Sequence, residues 1–158
     1  MLIVTGQTIA AGAVLANAVV YDTDVTGAVI TRSVNRKLDD VAMTMSAGWG
    51  HYYADKRMPI VGAVGVVTAV LTLLIALSAG QIGVAVAAAI TVAALLTWFA
   101  FYVRIAKPIN SQQTAAAQSG IIPPDARALQ EKWDSILKYR VTLQFIALAG
   151  LCAALILF

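Results

Sequence analysis

Four long apolar runs alternate with shorter charged stretches along the chain. Each run is about 20 residues, which at 1.5 Å per residue is long enough to cross the hydrocarbon core of a bilayer as a helix. The runs cover residues 2–21, 58–77, 82–102 and 139–158. This pattern predicts an all-α fold, an integral membrane four-helix bundle in which residues 1–158 form a single domain.

The first run has a competing interpretation as a secretory signal peptide. Ala16-Asn17-Ala18 resembles a small-residue cleavage site. A signal peptide also begins with a basic region, and no Lys or Arg precedes this run. We therefore interpret residues 2–21 as the first membrane span.

The connections between the runs are of two kinds. Spans two and three are separated only by Ser78-Ala79-Gly80-Gln81, which predicts a tight helical hairpin. The connections 22–57 and 103–138 are long and hold every charged residue except Arg140. In the first of them, apolar residues recur at helical spacing and predict an amphipathic helix. These residues are Val34, Leu38, Val41, Ala42, Met45 and Trp49.

Prolines suggest where the helices begin and end. Met58-Pro59 is expected to open span two, because Pro is tolerated in the first turn of a helix. Pro108 is expected to end span three. Pro123-Pro124-Asp125 precedes a stretch that should form a helix from Ala126 and continue into span four.

Composition and charge support a membrane location and orient the spans. Of the 158 residues, 60% are hydrophobic and 12% charged, and the mean hydropathy is +0.82, so the lipid bilayer is the expected environment. The net charge of +3 does not indicate nucleic acid, because the basic residues alternate with acids and flank apolar runs. All eleven Lys and Arg residues lie in or beside the two long connections. The positive-inside rule makes these connections cytoplasmic, in a multi-pass protein of the cell inner membrane with both termini outside.

Metal and cofactor chemistry has little basis in this composition. Cys152 is the only cysteine and His51 the only histidine. One chain therefore contains no disulfide, and by itself it supplies neither a bis-histidine haem site nor a three-histidine copper site. No known catalytic motif is present, and no metal site or cofactor is predicted.

The densest group of polar and aromatic residues is the stretch 49–57, just before span two. One interpretation is an interfacial aromatic belt with basic residues facing lipid phosphates. The other is the rim of a pocket in the bundle, in which His51 moves protons and Trp49, Tyr52 and Tyr53 contact a phenolic substrate.

A second polar group lies where spans three and four meet the charged connections. It contains Asn110, Trp133 and Arg140. A guanidinium at the mouth of a span needs a partner, and Asp22 and Asp24 are the nearest candidates. Asn17, within span one, also needs a partner, either on another helix or on a ligand.

These residues give the chain a resemblance to the anthrone oxygenase-like membrane family, long catalogued as a domain of unknown function. The matching stretches run in order through most of the sequence. They are Gly48-Trp49-Gly50-His51-Tyr52-Tyr53, Met58-Pro59, Pro108-Ile109-Asn110, Leu129-Gln130-Glu131-Lys132-Trp133 and Tyr139-Arg140. The resemblance implies a four-helix membrane bundle. It also implies oxygenation of anthrones to anthraquinones without an organic cofactor, with molecular oxygen as co-substrate.

Three functions follow as hypotheses. The first is an enzyme acting on a hydrophobic aromatic small molecule at the cytoplasmic helix ends. In it His51 is the base, Arg140 the oxyanion partner and Asn110 a further catalytic residue. Its expected substrate contacts are Trp49, Tyr52, Tyr53, Trp133 and Asn17. The second is a non-catalytic subunit that docks a membrane partner protein through its small-residue spans. The third is a small transporter, which would have to act as a homo-oligomer.

Overall fold

The structure, a computed structural model that describes residues 1–158, consists of four long helices joined by short connections. They are α1 (Leu2–Asn35), α2 (Asp40–Ser78), α3 (Ile82–Ser119) and α4 (Ala126–Leu157). Each is long and apolar enough to cross a membrane, and there is no strand. The predicted all-α four-helix bundle is confirmed, and the chain is a multi-pass membrane protein.

The helices form a closed ring in the order of the sequence. Each packs against the next, and α4 returns to pack against α1. The centre of the ring is built largely from small side chains with no exposed surface, among them Ala13 on α1, Ala69 on α2 and Ala147 on α4. Small residues allow helix backbones to approach closely, so van der Waals packing holds the apolar part together.

The helices are much longer than a bilayer requires. They contain 32–39 residues, or about 48–58 Å, against a hydrocarbon core of about 30 Å. The excess length of all four lies at the end that carries the charged connections. We call this part, residues 22–57 and 103–138, the charged end. The opposite end has only the termini and the turn between α2 and α3.

The separate amphipathic helix predicted for the first connection is absent. Val34 lies in the last turn of α1, whereas Val41 to Trp49 lie in the first turns of α2. Asp39 caps α2 by accepting a hydrogen bond from the Ala42 amide at 2.7 Å, and no residue breaks the helix after it. The apolar spacing was interpreted correctly as helical, but the segment belongs to two continuous helices.

Contrary to expectation, Pro59 and Pro108 do not mark helix ends. Pro59 lies well inside α2, and α3 continues beyond Pro108 as far as Ser119. A wide π-helical turn at Tyr102–Ala106 ends two residues before Pro108. Such turns accommodate the missing N–H and the bulk of a proline ring within a membrane helix, so the helix extends past the point at which it was predicted to stop.

Other helix boundaries agree with the sequence. The hairpin between α2 and α3 turns at Gly80, whose φ of +69° favours glycine. The helix that begins at Ala126 runs without interruption through span four. A second π turn, Gly27–Thr31, lies in α1. Both π turns are at the charged end, and such turns occur frequently at functional sites.

Candidate functional site

A buried ion pair joins α1 and α4 where the apolar core meets the charged end. Arg140 Nη2 lies 2.7 Å from Asp24 Oδ1, and the two residues are only 7% and 2% exposed. Asp24 Oδ2 also accepts a hydrogen bond from Trp98 Nε1 on α3 at 2.7 Å. Of the two partners considered for Arg140, Asp24 is the correct one, and Asp22 is exposed. Three helices are thus tied together by one carboxylate.

Two indole rings flank the guanidinium of Arg140. Its central carbon is 4.8 Å from the Trp98 ring centroid and 5.8 Å from that of Trp133. Aromatic faces stabilise a cation at such distances, more strongly where water is excluded. Arg140 is therefore held by a carboxylate on one side and by π systems on the others.

The hydrogen-bonded network continues from Trp133 to α2. Trp133 Nε1 donates to Asn110 Oδ1 at 3.0 Å, and Asn110 Nδ2 donates to Asp55 Oδ1 at 3.1 Å. Asp55 Oδ1 also accepts from the Tyr102 hydroxyl at 2.9 Å. The side-chain amide of Asn110 is therefore oriented at both ends, and Asp55 is a second, half-buried carboxylate at the charged end.

His51 lies beside this network, one helical turn before Asp55. Its ring centroid is 5.4 Å from that of Trp133, and the Gln113 amide and the charged groups of Asp55 and Arg140 are close to it. His51 and Arg140 thus both lie against the indole of Trp133. This juxtaposition brings together four of the residues singled out from the sequence: His51, Asn110, Trp133 and Arg140.

A shallow groove leads from the surface to the network between α2 and α3. Its volume is about 290 Å³, and Tyr52, Asp55, Thr114 and Gln118 are among its lining residues. Tyr52, predicted as a substrate contact, is therefore at the groove that reaches Asp55.

The other aromatic residues of the stretch 49–57 face outward. Trp49 is 39% exposed and Tyr53 is 49% exposed. The Trp49 ring packs edge-on against Tyr52, and Arg57 lies over the Tyr53 ring at 5.0 Å. Such an arrangement is typical of an interfacial aromatic belt. The structure does not bring Trp49 or Tyr53 to Arg140.

Asn17 has a packing contact rather than a place in the network. It is 2% exposed, and its amide donates to the carbonyls of Ala13 at 2.8 Å and Gly65 at 3.3 Å. A Cβ atom at Gly65 would lie 2.9 Å from Asn17 Oδ1, so the glycine makes room for the amide. Asn17 is about 10 Å from Asp24 along the helix and joins α1 to α2 deep in the membrane.

Several network residues were not singled out by sequence reasoning. Asp55 could have been found, because it follows His51 by four residues and so shares its helix face. Trp98 and Tyr102 gave no such signal, since aromatic residues at the end of a span are equally typical of the lipid interface. Gln113 lies in a small-residue, polar stretch that was interpreted as part of a loop.

Metal ligands do not cluster in the structure. No group of three or more His, Cys, Asp or Glu side chains is arranged to hold a metal ion. Comparison with family models, with curated proteins and with solved structures gives no match. The site is therefore interpreted from its own geometry.

Proposed function

We propose that the chain is a membrane-embedded small-molecule enzyme, an oxygenase of anthrone-type or related phenolic substrates, with its active site around Arg140. The observation that carries the proposal is the placement of His51 and Arg140 against the same indole, that of Trp133. A neutral imidazole is a base, and a buried guanidinium stabilises an oxyanion. The sequence resemblance to the anthrone oxygenase-like family points to the same chemistry.

The reaction assigns a role to each residue. His51 removes a proton from the ring CH2 of the substrate, and the resulting enolate oxygen lies near Arg140. Molecular oxygen adds to the carbanion to form a hydroperoxide, which loses water to leave a ketone. Overall, CH2 and O2 give C=O and H2O. His51 returns to its neutral form when it gives its proton to the peroxide anion.

Arg140 can take part without losing its own partner. A guanidinium has five N–H donors, and Asp24 is within hydrogen-bonding reach of only Nη2 and Nε. The remaining donors are free to bind a developing oxyanion. Asn110 holds Trp133 through its Oδ1 atom, so in this proposal it positions the indole beside both the base and the cation. The groove lined by Tyr52 and Asp55 is the entrance for the aromatic substrate.

Oxygen uptake by the purified full chain tests the proposal. With an anthrone as substrate, we expect uptake well above the rate without protein, and a quinone product in equal amount. His51→Gln should lower the rate about 10²–10⁴-fold and Arg140→Gln about 10²–10³-fold. Lys132→Gln, on the exposed side of α4, is the control and should keep the rate.

Arg140→Gln leaves Asp24 buried without its cation, so loss of activity could reflect loss of fold. The double variant Asp24→Asn/Arg140→Gln removes both charges and avoids this. If the wild-type chain consumes no oxygen with anthrones and hydroxylated analogues, and copurifies with a stoichiometric second polypeptide, the enzyme proposal fails in favour of the partner-subunit function.

We also propose that the charged end faces the cytoplasm in the cell inner membrane, with both termini outside. All basic residues lie at or beside that end, as the positive-inside rule requires. In a Cys152→Ala background, Ser78→Cys should react with an impermeant maleimide added to intact spheroplasts, and Ser33→Cys should react only after lysis. The reverse labelling would overturn this orientation.

A further inference from the structure

A partly open polar cavity lies between α1 and α4 at the charged end, away from Arg140. Its volume is about 260 Å³, and all of its lining side chains are polar or charged. The proposed oxygenase chemistry does not use it. An apolar aromatic substrate would find no apolar wall there.

Two buried atoms in the wall of this cavity have no hydrogen-bond partner. They are Asn35 Oδ1 and Arg32 Nε. Asn35 as a whole is only 3% exposed, whereas the Arg32 side chain is 40% exposed and its Nε has only a long ion-pair contact, 3.5 Å, with Asp134. One is an acceptor and the other a donor. Unpartnered buried polar atoms are rare in native proteins because they lose their hydrogen bonds to water without replacement. A ligand that both donates and accepts would satisfy the two atoms together.

The charges of the cavity are separated between its two walls. Arg32 and Arg36 come from the end of α1, whereas Glu131 and Asp134 come from α4. Arg32 Nε is 3.5 Å from Asp134 Oδ2, which marks the line where the walls meet. A basic wall facing an acidic wall is complementary to a zwitterion.

Arg127 also borders the cavity but has a structural role. Its guanidinium pairs with Asp40 and donates to the carbonyls of Asn35 at 3.0 Å and Leu38 at 2.9 Å. These bonds fix the connection between α1 and α2. Arg127 therefore shapes the wall, while Arg32 and Arg36 supply the cationic side.

The inner end of the cavity, at Asp134, lies at the depth of the lipid headgroups. Asp134 precedes Tyr139, the start of the apolar run of α4, by five residues, or about 8 Å along the helix. The headgroup layer extends about 5–8 Å beyond the hydrocarbon core on each side. Arg127, the outermost lining residue of α4, is about 18 Å from Tyr139. The inner end of the cavity is thus at headgroup depth, and its outer end opens beyond the headgroups.

We propose that this cavity binds a zwitterion that carries a phosphate and a primary ammonium group, as the headgroup of phosphatidylethanolamine does. The phosphate lies against Arg32 and Arg36. The ammonium donates to Asn35 Oδ1 and to the Asp134 carboxylate. Soluble phosphoethanolamine has the same chemistry, and the headgroup depth of the inner end of the cavity favours the lipid.

Lipid retention by the purified full chain tests this site. The delipidated protein is incubated with mixed micelles of phosphatidylethanolamine and phosphatidylcholine in equal amounts, and bound lipid is counted by native mass spectrometry. Phosphatidylcholine is the matched probe, because its trimethylammonium group has no N–H to donate. We expect about a tenfold preference for phosphatidylethanolamine, since Asn35 Oδ1 stays unpaired with the other lipid.

Three variants test which residues produce the preference for phosphatidylethanolamine. Asn35→Leu replaces the acceptor by an apolar group of similar size and should reduce the preference to near unity. Arg36→Gln, at an exposed position that does not threaten the fold, should lower retention of both lipids several-fold. Lys107→Gln, an exposed cation at the charged end outside the cavity lining, should change neither.

Competition with millimolar phosphoethanolamine distinguishes a lipid headgroup from a water-soluble ligand. If it binds wild type but not Asn35→Leu, and neither lipid is retained selectively, the zwitterion site stands with a water-soluble ligand. Equal retention of both lipids by wild type without binding of phosphoethanolamine overturns the proposal, as does a preference that survives in Asn35→Leu. None of these readouts depends on oxygen uptake, so the outcome is separate from that of the proposed enzyme activity.

Discussion

Arg140, at the mouth of the last apolar run, reaches across the helix interface to Asp24 near the end of the first run, and their side chains meet at 2.7 Å. Both are almost completely buried. A buried ion pair is costly to desolvate and adds little net stability. Its presence where the apolar core of the bundle begins is therefore better explained by function than by folding, as is usual for ionisable groups within membrane bundles.

Breaking this pair on one side should be far more damaging than removing it entirely. Asp24→Asn leaves the Arg140 charge buried without a counter-ion and should destabilise the protein by about 3–5 kcal/mol. The double variant Asp24→Asn/Arg140→Gln should recover most of that loss. Thermal unfolding in detergent measures both, and equal destabilisation by the single and double variants would contradict the interpretation.

The indole N–H of Trp98 should contribute separately from its ring. Trp98→Phe keeps a ring beside Arg140 but removes the donor to Asp24 Oδ2. We expect a loss of about 1.5–3 kcal/mol, the range for a hydrogen bond to a charged group. The control is Trp49→Phe at an exposed position, with a change within about 0.5 kcal/mol. Similar effects of the two substitutions would show that the Trp98 donor is unimportant.

Two neighbouring glycines of α2 should respond oppositely to alanine. A Cβ atom at Gly48 would collide with the Gln113 carbonyl oxygen of α3, whereas one at Gly50 would meet no atom within 4 Å. Gly48→Ala must push the helices apart and should cost about 1–3 kcal/mol. Gly50→Ala should stabilise the helix by up to about 1 kcal/mol. Comparison of their melting temperatures is the measurement, and a harmless Gly48→Ala would mean that α2 and α3 are not in close contact there.

The inner and outer aromatic residues should differ in their effect on oxygen uptake. Trp133→Phe loses the bond to Asn110 Oδ1 and should lower the rate about tenfold, because the ring beside both His51 and Arg140 is no longer held in place. Tyr53→Phe, on the exposed face, should leave the rate unchanged. A larger loss from the Tyr53 substitution than from the Trp133 substitution would move the active site to the outer aromatic cluster.

The overall architecture of this chain could be derived from its sequence. Lipid leaves backbone groups no partner but one another, so four apolar runs of sufficient length must be helices. The turn at Gly80 and the continuous helix from Ala126 into span four followed from local rules for glycine and proline. Arg140 needed a counter-ion because lipid offers a charged group no partner either. Asp24 was one of the two acids considered for that role.

Tertiary structure decided how far the helices extend and which side chains meet. Pro59 and Pro108 appeared to be boundaries, but α2 continues through Pro59 and α3 continues through Pro108, just after a π turn. Trp49 and Trp133 were equivalent as sequence signals, since an indole near a span end suits either the lipid interface or a buried contact. Only the rotation of each helix against its neighbours, which depends on close contacts such as that of Gly48 with Gln113, turns Trp133 inward and leaves Trp49 outside.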